Sequence, residues 1–152
     1  MIAIFTALLL LQFLIVALHD LVDIPGWITG SQVQAVMGKR KTVLATIANC
    51  VFPGIAVVLA VLFWKRPVPH SVTNYWIIYC GVACLSAIGM WYVPYFRGAP
   101  EKLKREYEQM YAGTRTLLPP RGDNPRPNLF HMGIHALFVV NLCLAFALRV
   151  WS

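Results

Sequence analysis

Four apolar stretches, Met1 to Val22, Thr42 to Trp64, Tyr75 to Phe96 and Leu129 to Trp151, take up most of this chain. Each is close to the roughly 20 residues that a helix rising about 1.5 Å per residue needs to cross a hydrocarbon core of about 30 Å. Backbone amides in lipid must bond within their own segment, so spans of this length are expected to be helices. Only 12% of the residues are charged and the mean hydropathy is +0.64. Soluble domains carry roughly 25% charged residues, so composition argues against a compact water-soluble fold. The 152 residues leave room for one domain. The expected fold is an all-α membrane protein: a four-helix antiparallel transmembrane bundle over residues 1–152, with spans at about 1–22, 42–64, 75–96 and 129–151.

The distribution of positive charge sets the expected topology. Lys39, Arg40, Lys41, Arg97, Lys102, Lys104, Arg105, Arg115, Arg121 and Arg126 fall in the loops at about 24–41 and 97–128, against Lys65, Arg66 and Arg149 elsewhere. The positive-inside bias puts those two loops in the cytoplasm and both termini outside, as for a protein of the cell's inner membrane. The first stretch lacks a basic flank and is followed by HDLVDIPGW rather than a small-residue cleavage site, so it reads as a retained span and not a secretory signal. The same rule, with anionic lipid, accounts for the net charge of +7 without any nucleic-acid partner.

Within the spans, Asn49 and Asn141 are expected to face other helices, because an amide in hydrocarbon needs a partner. Pro53 is expected to kink the second span and free the carbonyl of Asn49. Cys50, Cys80, Cys84 and Cys143 form no Cys-x-x-Cys pair and read as small packing residues. Gly81, Ala83, Cys84, Ser86, Ala87 and Gly89 keep the third span's surface low, which suits close helix contact.

The last loop divides in two. PEKLKREYEQMYAG places Leu103, Tyr107, Met110 and Tyr111 on one helix face, the pattern of a short amphipathic helix lying at the membrane surface or packed on the bundle. RTLLPPRGDNPRPNLFHMGIH follows. Its prolines forbid a continuous helix, and Asn128 is placed to cap the fourth span.

Candidate chemistry gathers at this end. Arg115, Arg121 and Arg126 precede a helix N-terminus begun by Asn128, a setting that favours a phosphate or carboxylate such as a lipid headgroup. His19 and Asp23 are spaced i, i+4 at the end of the first span, and His131 and His135 likewise at the start of the fourth. Were these ends adjacent, the four would be candidate acid, base or metal groups, since histidine and carboxylate together suit zinc or iron. The sequence lacks His-Glu-x-x-His, and two histidines one turn apart cannot take opposite axial positions on a haem. No cofactor is therefore assigned, a metal ion being the one kept open. The bland alternative pairs Asp20 or Asp23 with Arg121 or Arg126 and simply pins the loop to the bundle.

In length and span count the chain is similar to the membrane-associated glutathione transferase and eicosanoid proteins. KRKTVLATIANC does not reproduce the arginine-and-asparagine signature of their second span, so the similarity implies no residue role and no activity. The expected function is an accessory or lipid-interacting membrane module whose basic loop docks a partner or an anionic headgroup. Its partners would be membrane lipids, other membrane subunits or a second copy. The competing expectation is a small membrane enzyme acting on a lipophilic substrate through His19, Asp23, His131 and His135.

Overall fold

The computed structural model describes residues 1–151. Helix α1 (Ile2–Leu18) leads into a two-residue antiparallel hairpin, β1 (Asp23–Ile24) and β2 (Ile28–Thr29). Then come α2 (Gly30–Met37), α3 (Lys39–Leu62) and α4 (His70–Ala87). A π-helical turn (Ile88–Tyr92) joins α4 to α5 (Val93–Arg97), and α6 (Glu101–Tyr111) and α7 (Leu129–Trp151) complete the chain.

Three helical segments are long and apolar enough to cross a membrane: Lys39–Leu62, His70–Arg97 and Leu129–Trp151. Their outer faces carry Ile47, Val58, Ile78, Val82, Leu85 and Met90, all at least half exposed. Soluble proteins rarely leave contiguous apolar surface of that extent uncovered. The chain is thus a mostly helical membrane protein.

The first apolar helix, of 17 residues, comes out shorter than its apolar run. Helix α1 stops at Leu18, and the amides of Leu21 and Val22 both turn back to the Leu18 carbonyl. Its 17 residues give about 26 Å at 1.5 Å per residue. The chain then folds into the hairpin, where Gly26 takes a left-handed φ of 75° that its turn requires. Gly30 lies so close to Val22 that an added Cβ would stand 2.5 Å from the Val22 carbonyl oxygen. Neither the hairpin nor α2 was legible as regular structure in the loop at 24–41. Helices α3 and α4 both start earlier than their apolar patterns, because Lys39 to Lys41 and His70 to Asn74 continue the helices into polar sequence.

Helix α1 packs against α3 and α7, and α4 packs mainly on α7. Along α1 the buried positions Phe5, Leu9, Gln12 and Val16 recur at four- and three-residue steps, a helical seam. The interior has three levels. At the end remote from the long loop, Phe5, Leu9, Ala56, Ala60, Val72, Trp76, Ala145 and Leu148 form an apolar core, with Phe5 edge-on to Trp76 at 4.9 Å. In the middle, Gln12 joins two helices: its amide donates to the Tyr79 hydroxyl and its carbonyl accepts from Asn141 Nδ2 at 2.7 Å. Gln12 and Asn141 are fully buried. At the loop end the interior becomes aromatic and histidine-rich.

Two expectations about polar groups are corrected here. Asn141 faces its neighbours, but Asn49 is exposed on the side of α3. Of the cysteines, Cys80 is buried, Cys50 and Cys84 are half-buried and Cys143 is exposed, so only the first is a true packing residue. Asn49 lies on the same arc of α3 as the buried Thr42, Thr46, Pro53 and Ala56, so it is exposed at a level where that arc is left uncovered, not because it points away from the bundle. Helix α3 continues through Pro53 to Leu62.

Candidate functional site

The loop-end cluster is built by a proline. Pro94 has no amide hydrogen to give the Met90 carbonyl four residues back, and the backbone relaxes there into the π turn Ile88–Tyr92. The freed Met90 carbonyl accepts the Tyr107 hydroxyl of α6 at 2.8 Å. The same turn buries Trp91, whose ring lies 4.1 Å from His131, 5.0 Å from Tyr107, 5.2 Å from Tyr111 and 6.1 Å from His135, centroid to centroid. Trp91 is 6% exposed. The apolar stripe of α6 therefore packs on the protein's own helices, with Met110 buried and its carbonyl bonded to Thr29 Oγ1 at 2.6 Å.

Burial pushes the Tyr107 phenol up to about 12 and raises that of Tyr111 as well, the Asp20 carboxylate adding to the latter. A raised phenol pKa means that the folded loop prefers the neutral ring. That preference is fully present below the unfolded value of about 10 and is lost as pH climbs past it. We expect α6 to come away from Trp91 between pH about 10 and 12, seen as phenolate absorbance rising together with a change in Trp91 emission. Tyr107→Phe should make the transition shallower.

Asn128 caps α7 as its position implies: its Oδ1 accepts the His131 backbone amide at 2.9 Å. The same oxygen lies 2.8 Å from His131 Nδ1. An oxygen already receiving an amide proton meets a second donor, so Nδ1 carries the hydrogen and Nε2 is the acceptor of the neutral ring. Asn128→Ala removes the cap and should cost about 1 kcal/mol, read as faster hydrogen exchange over residues 129–132.

Arg115 links two segments through its backbone. Its amide donates to Gly26 at 3.0 Å and its carbonyl accepts from Leu129 at 2.7 Å, so it ties the first-loop turn to the start of α7. Its guanidinium lies 6.0 Å from the Trp27 ring. With the Leu129 and His131 amides both taken by protein oxygens, the α7 N-terminus is largely closed to an anion. Arg121 stacks over Phe96 at 5.4 Å and Tyr95 at 5.9 Å. Arg126 is half-buried.

The Asp-to-Arg pinning does not occur among the described residues. Asp23 instead accepts the Ser31 amide at 2.9 Å and its hydroxyl at 3.0 Å, at the start of α2. Asp20 pairs with its neighbour His19 at 3.4 Å when that ring is protonated. The long loop is held by Tyr95, whose hydroxyl donates to Pro119 and whose carbonyl accepts from Asn124, and by Lys104, which bridges Glu101 and Asp123. Lys104 holds the Asp123 carboxyl below its ordinary value, but this pair lies in water and contributes little.

The four candidate metal or acid–base residues are only partly brought together. His19 and His131 are 5.6 Å apart and His131 and His135 6.4 Å, ring to ring. Because α1 ends at Leu18, His19 and Asp23 do not share a helix face, and Asp23 turns to Ser31. Among the described residues no three His, Cys, Asp or Glu groups gather as a metal ion would require.

Beside this cluster, α4, the π turn and α7 enclose an open groove of about 400 Å3, within the roughly 300–1,000 Å3 of ligand sites. Cys84, Ala87, Ile88, Met132, Ala136 and Val139 make its apolar walls. His135 and Tyr92 also line it, with Nδ1 and the phenol oxygen 3.4 Å apart. No known family, curated protein or solved structure matches the chain.

Proposed function

We propose that this is a four-span membrane protein whose α4–α7 groove holds one lipid with an anionic headgroup. The observation that carries the reading is the groove itself: apolar walls, a His135–Tyr92 polar pair, and an opening on helices long enough to cross the membrane. Phe96 lies one helical turn beyond Tyr92, and the Arg121 guanidinium stands over its ring. A chain lying in the groove would bring its ester region to His135 and Tyr92 and its phosphate to Arg121. Helix α1 crosses as the first span despite its length, with the bilayer thinning locally and His19 reaching for the interface. The basic loops face the cytoplasm and both termini lie outside, as the positive-inside bias has it.

Binding is favoured over catalysis. Tyr92 is the polar partner of His135 within hydrogen-bonding reach, and among the described residues no carboxylate orients the ring as an acid–base mechanism would want. Lipid extracted from gently purified protein tests the reading through two variants. Arg121→Ala should keep a bound lipid but shift it from anionic to zwitterionic headgroups. His135→Leu combined with Tyr92→Phe should weaken retention about tenfold, the loss of one or two net hydrogen bonds. Unchanged lipid content and headgroup composition in both would refute it.

A further inference from the structure

The outward face of α1 does not end where the helix does. Leu14 and Leu18 lie exposed one turn apart, and Leu21 and Val22 carry the same apolar surface into the turn that follows. The hairpin extends it to Ile24 at 47% and Trp27 at 40% exposure. The two carboxylates of this segment are engaged, Asp20 lying 3.4 Å from His19 and Asp23 accepting the Ser31 amide and hydroxyl. Backbone bonds fix the level of the tip: the Gly26 carbonyl accepts the Arg115 amide, and the Arg115 carbonyl accepts that of Leu129, the first residue of α7. The end of α1 stands at the same level, with the His19 ring 6.4 Å from Phe130 and 5.6 Å from His131. The tip is therefore beside the first turn of a helix long and apolar enough to cross a membrane. Its backbone is also suited to leaving water. The Trp27 amide donates to Ile24 at 2.9 Å, Arg115 takes the Gly26 carbonyl, and Pro25 has no amide hydrogen to leave bare.

We infer that the hairpin tip, Ile24 to Trp27, seats in the boundary between headgroups and acyl chains on the side of the long loop, with the Arg115 guanidinium on the phosphate of an anionic lipid. The inference rests on α1 crossing as the first span. Continuity identifies the occupant. A stripe that begins with leucines on a membrane helix and ends on a tryptophan follows the order of media from hydrocarbon to headgroup, where tryptophan is favoured. A water-soluble partner would cover the tip alone and leave the leucines behind it bare. Charge agrees with the lipid: the Arg115 guanidinium lies 6.0 Å from the Trp27 ring, carries no ion pair among the described residues, and has the fork geometry that suits a phosphate. The tip thus gives the short first helix an anchor at its inner end, in the way that interfacial segments bury their apolar side at the headgroup boundary.

Spin labels on the full-length protein in lipid vesicles test this, placed one at a time after Cys50, Cys80, Cys84 and Cys143 are changed to alanine, with helical content checked by circular dichroism. A label at Ile24→Cys should meet oxygen, which partitions into lipid, several-fold more often relative to a water-soluble nickel chelate than a label at Lys102→Cys, whose side chain is 83% exposed on α6. It should sit deeper in vesicles containing phosphatidylglycerol than in phosphatidylcholine alone, and Arg115→Gln, which keeps the backbone bonds, should remove that difference. A second measurement leaves the cysteines in place: brominated phosphatidylcholine should quench a component of the tryptophan emission that Trp27→Phe lacks. Leu14→Cys reports on α1 separately. A label in water there would overturn the four-span reading and this inference with it. A label in lipid at Leu14 but in water at Ile24 would overturn the hairpin's seat alone and leave the tip to a water-soluble partner. Equal depth at Ile24 in both kinds of vesicle would overturn the role of Arg115.

Discussion

Trp91→Ala is expected to release the long loop from the helices and to cost about 3–5 kcal/mol, the range for truncating a buried tryptophan. The ring is the common surface against which His131, Tyr107, Tyr111 and His135 are packed. Few other residues hold so many elements at once: Trp91 belongs to the π turn, the tyrosines to α6 and the histidines to α7. Without it the Tyr107 bond to Met90 loses its apolar cover, and water competes for the carbonyl. Limited proteolysis at Lys102, Lys104 and Arg105 reads the effect directly, since these bonds are protected while α6 is docked. Rapid cleavage is expected in Trp91→Ala and slow cleavage in Trp91→Phe, which keeps most of the ring contact. Equal protection in Trp91→Ala would mean that the loop is held by Tyr95, Asn124 and Arg115 alone.

The second large effect lies at mid-depth. Gln12→Leu is nearly isosteric but leaves the Tyr79 hydroxyl and Asn141 Nδ2 without partners in a buried setting. An orphaned buried polar group costs about 1–3 kcal/mol, more than the bond itself contributes. The asymmetry gives a sharper test than the single variant. Asn141→Leu should also destabilise, but Gln12→Leu with Asn141→Leu together should cost clearly less than the two added, because each removes the group the other strands. Reversible unfolding in mixed detergent micelles measures all three. Strict additivity would show that Gln12 and Asn141 act independently, contrary to their 2.7 Å contact.

Much of the architecture was legible in the sequence, for physical reasons that differ by element. The three long spans declare themselves through apolar length. The stripe Leu103, Tyr107, Met110 and Tyr111 gave α6 within a residue or two, and Asn128 before LFH gave the α7 cap. Hydropathy overran the end of α1, because Leu21 and Val22 are apolar yet sit in a turn dictated by Pro25 and Gly26 downstream. The hairpin and α2 are too short to have a period. Gln12 was readable in principle, as the one amide in an otherwise apolar run, and a lone polar residue in a span generally marks a helix contact. Trp91 had a signal too: Pro94 frees a carbonyl near it, but which donor claims that carbonyl is a tertiary fact. The convergence of His19, Asp23, His131 and His135 is only partial for a related reason: the three histidines meet, but Asp23 turns away to Ser31. Periodicity places residues on a face only while the helix lasts, and α1 stops one residue before His19.

The groove between α4 and α7 carries the proposed lipid site. Native mass spectrometry of the intact protein released from mild detergent tests it most directly, comparing wild type with Ala136→Trp, whose indole would fill the groove. The wild type should carry one discrete lipid adduct with an anionic headgroup. Ala136→Trp should carry none while keeping its helical content. A wild type without a discrete adduct, or a filled-groove variant that retains the same one, would contradict the proposal.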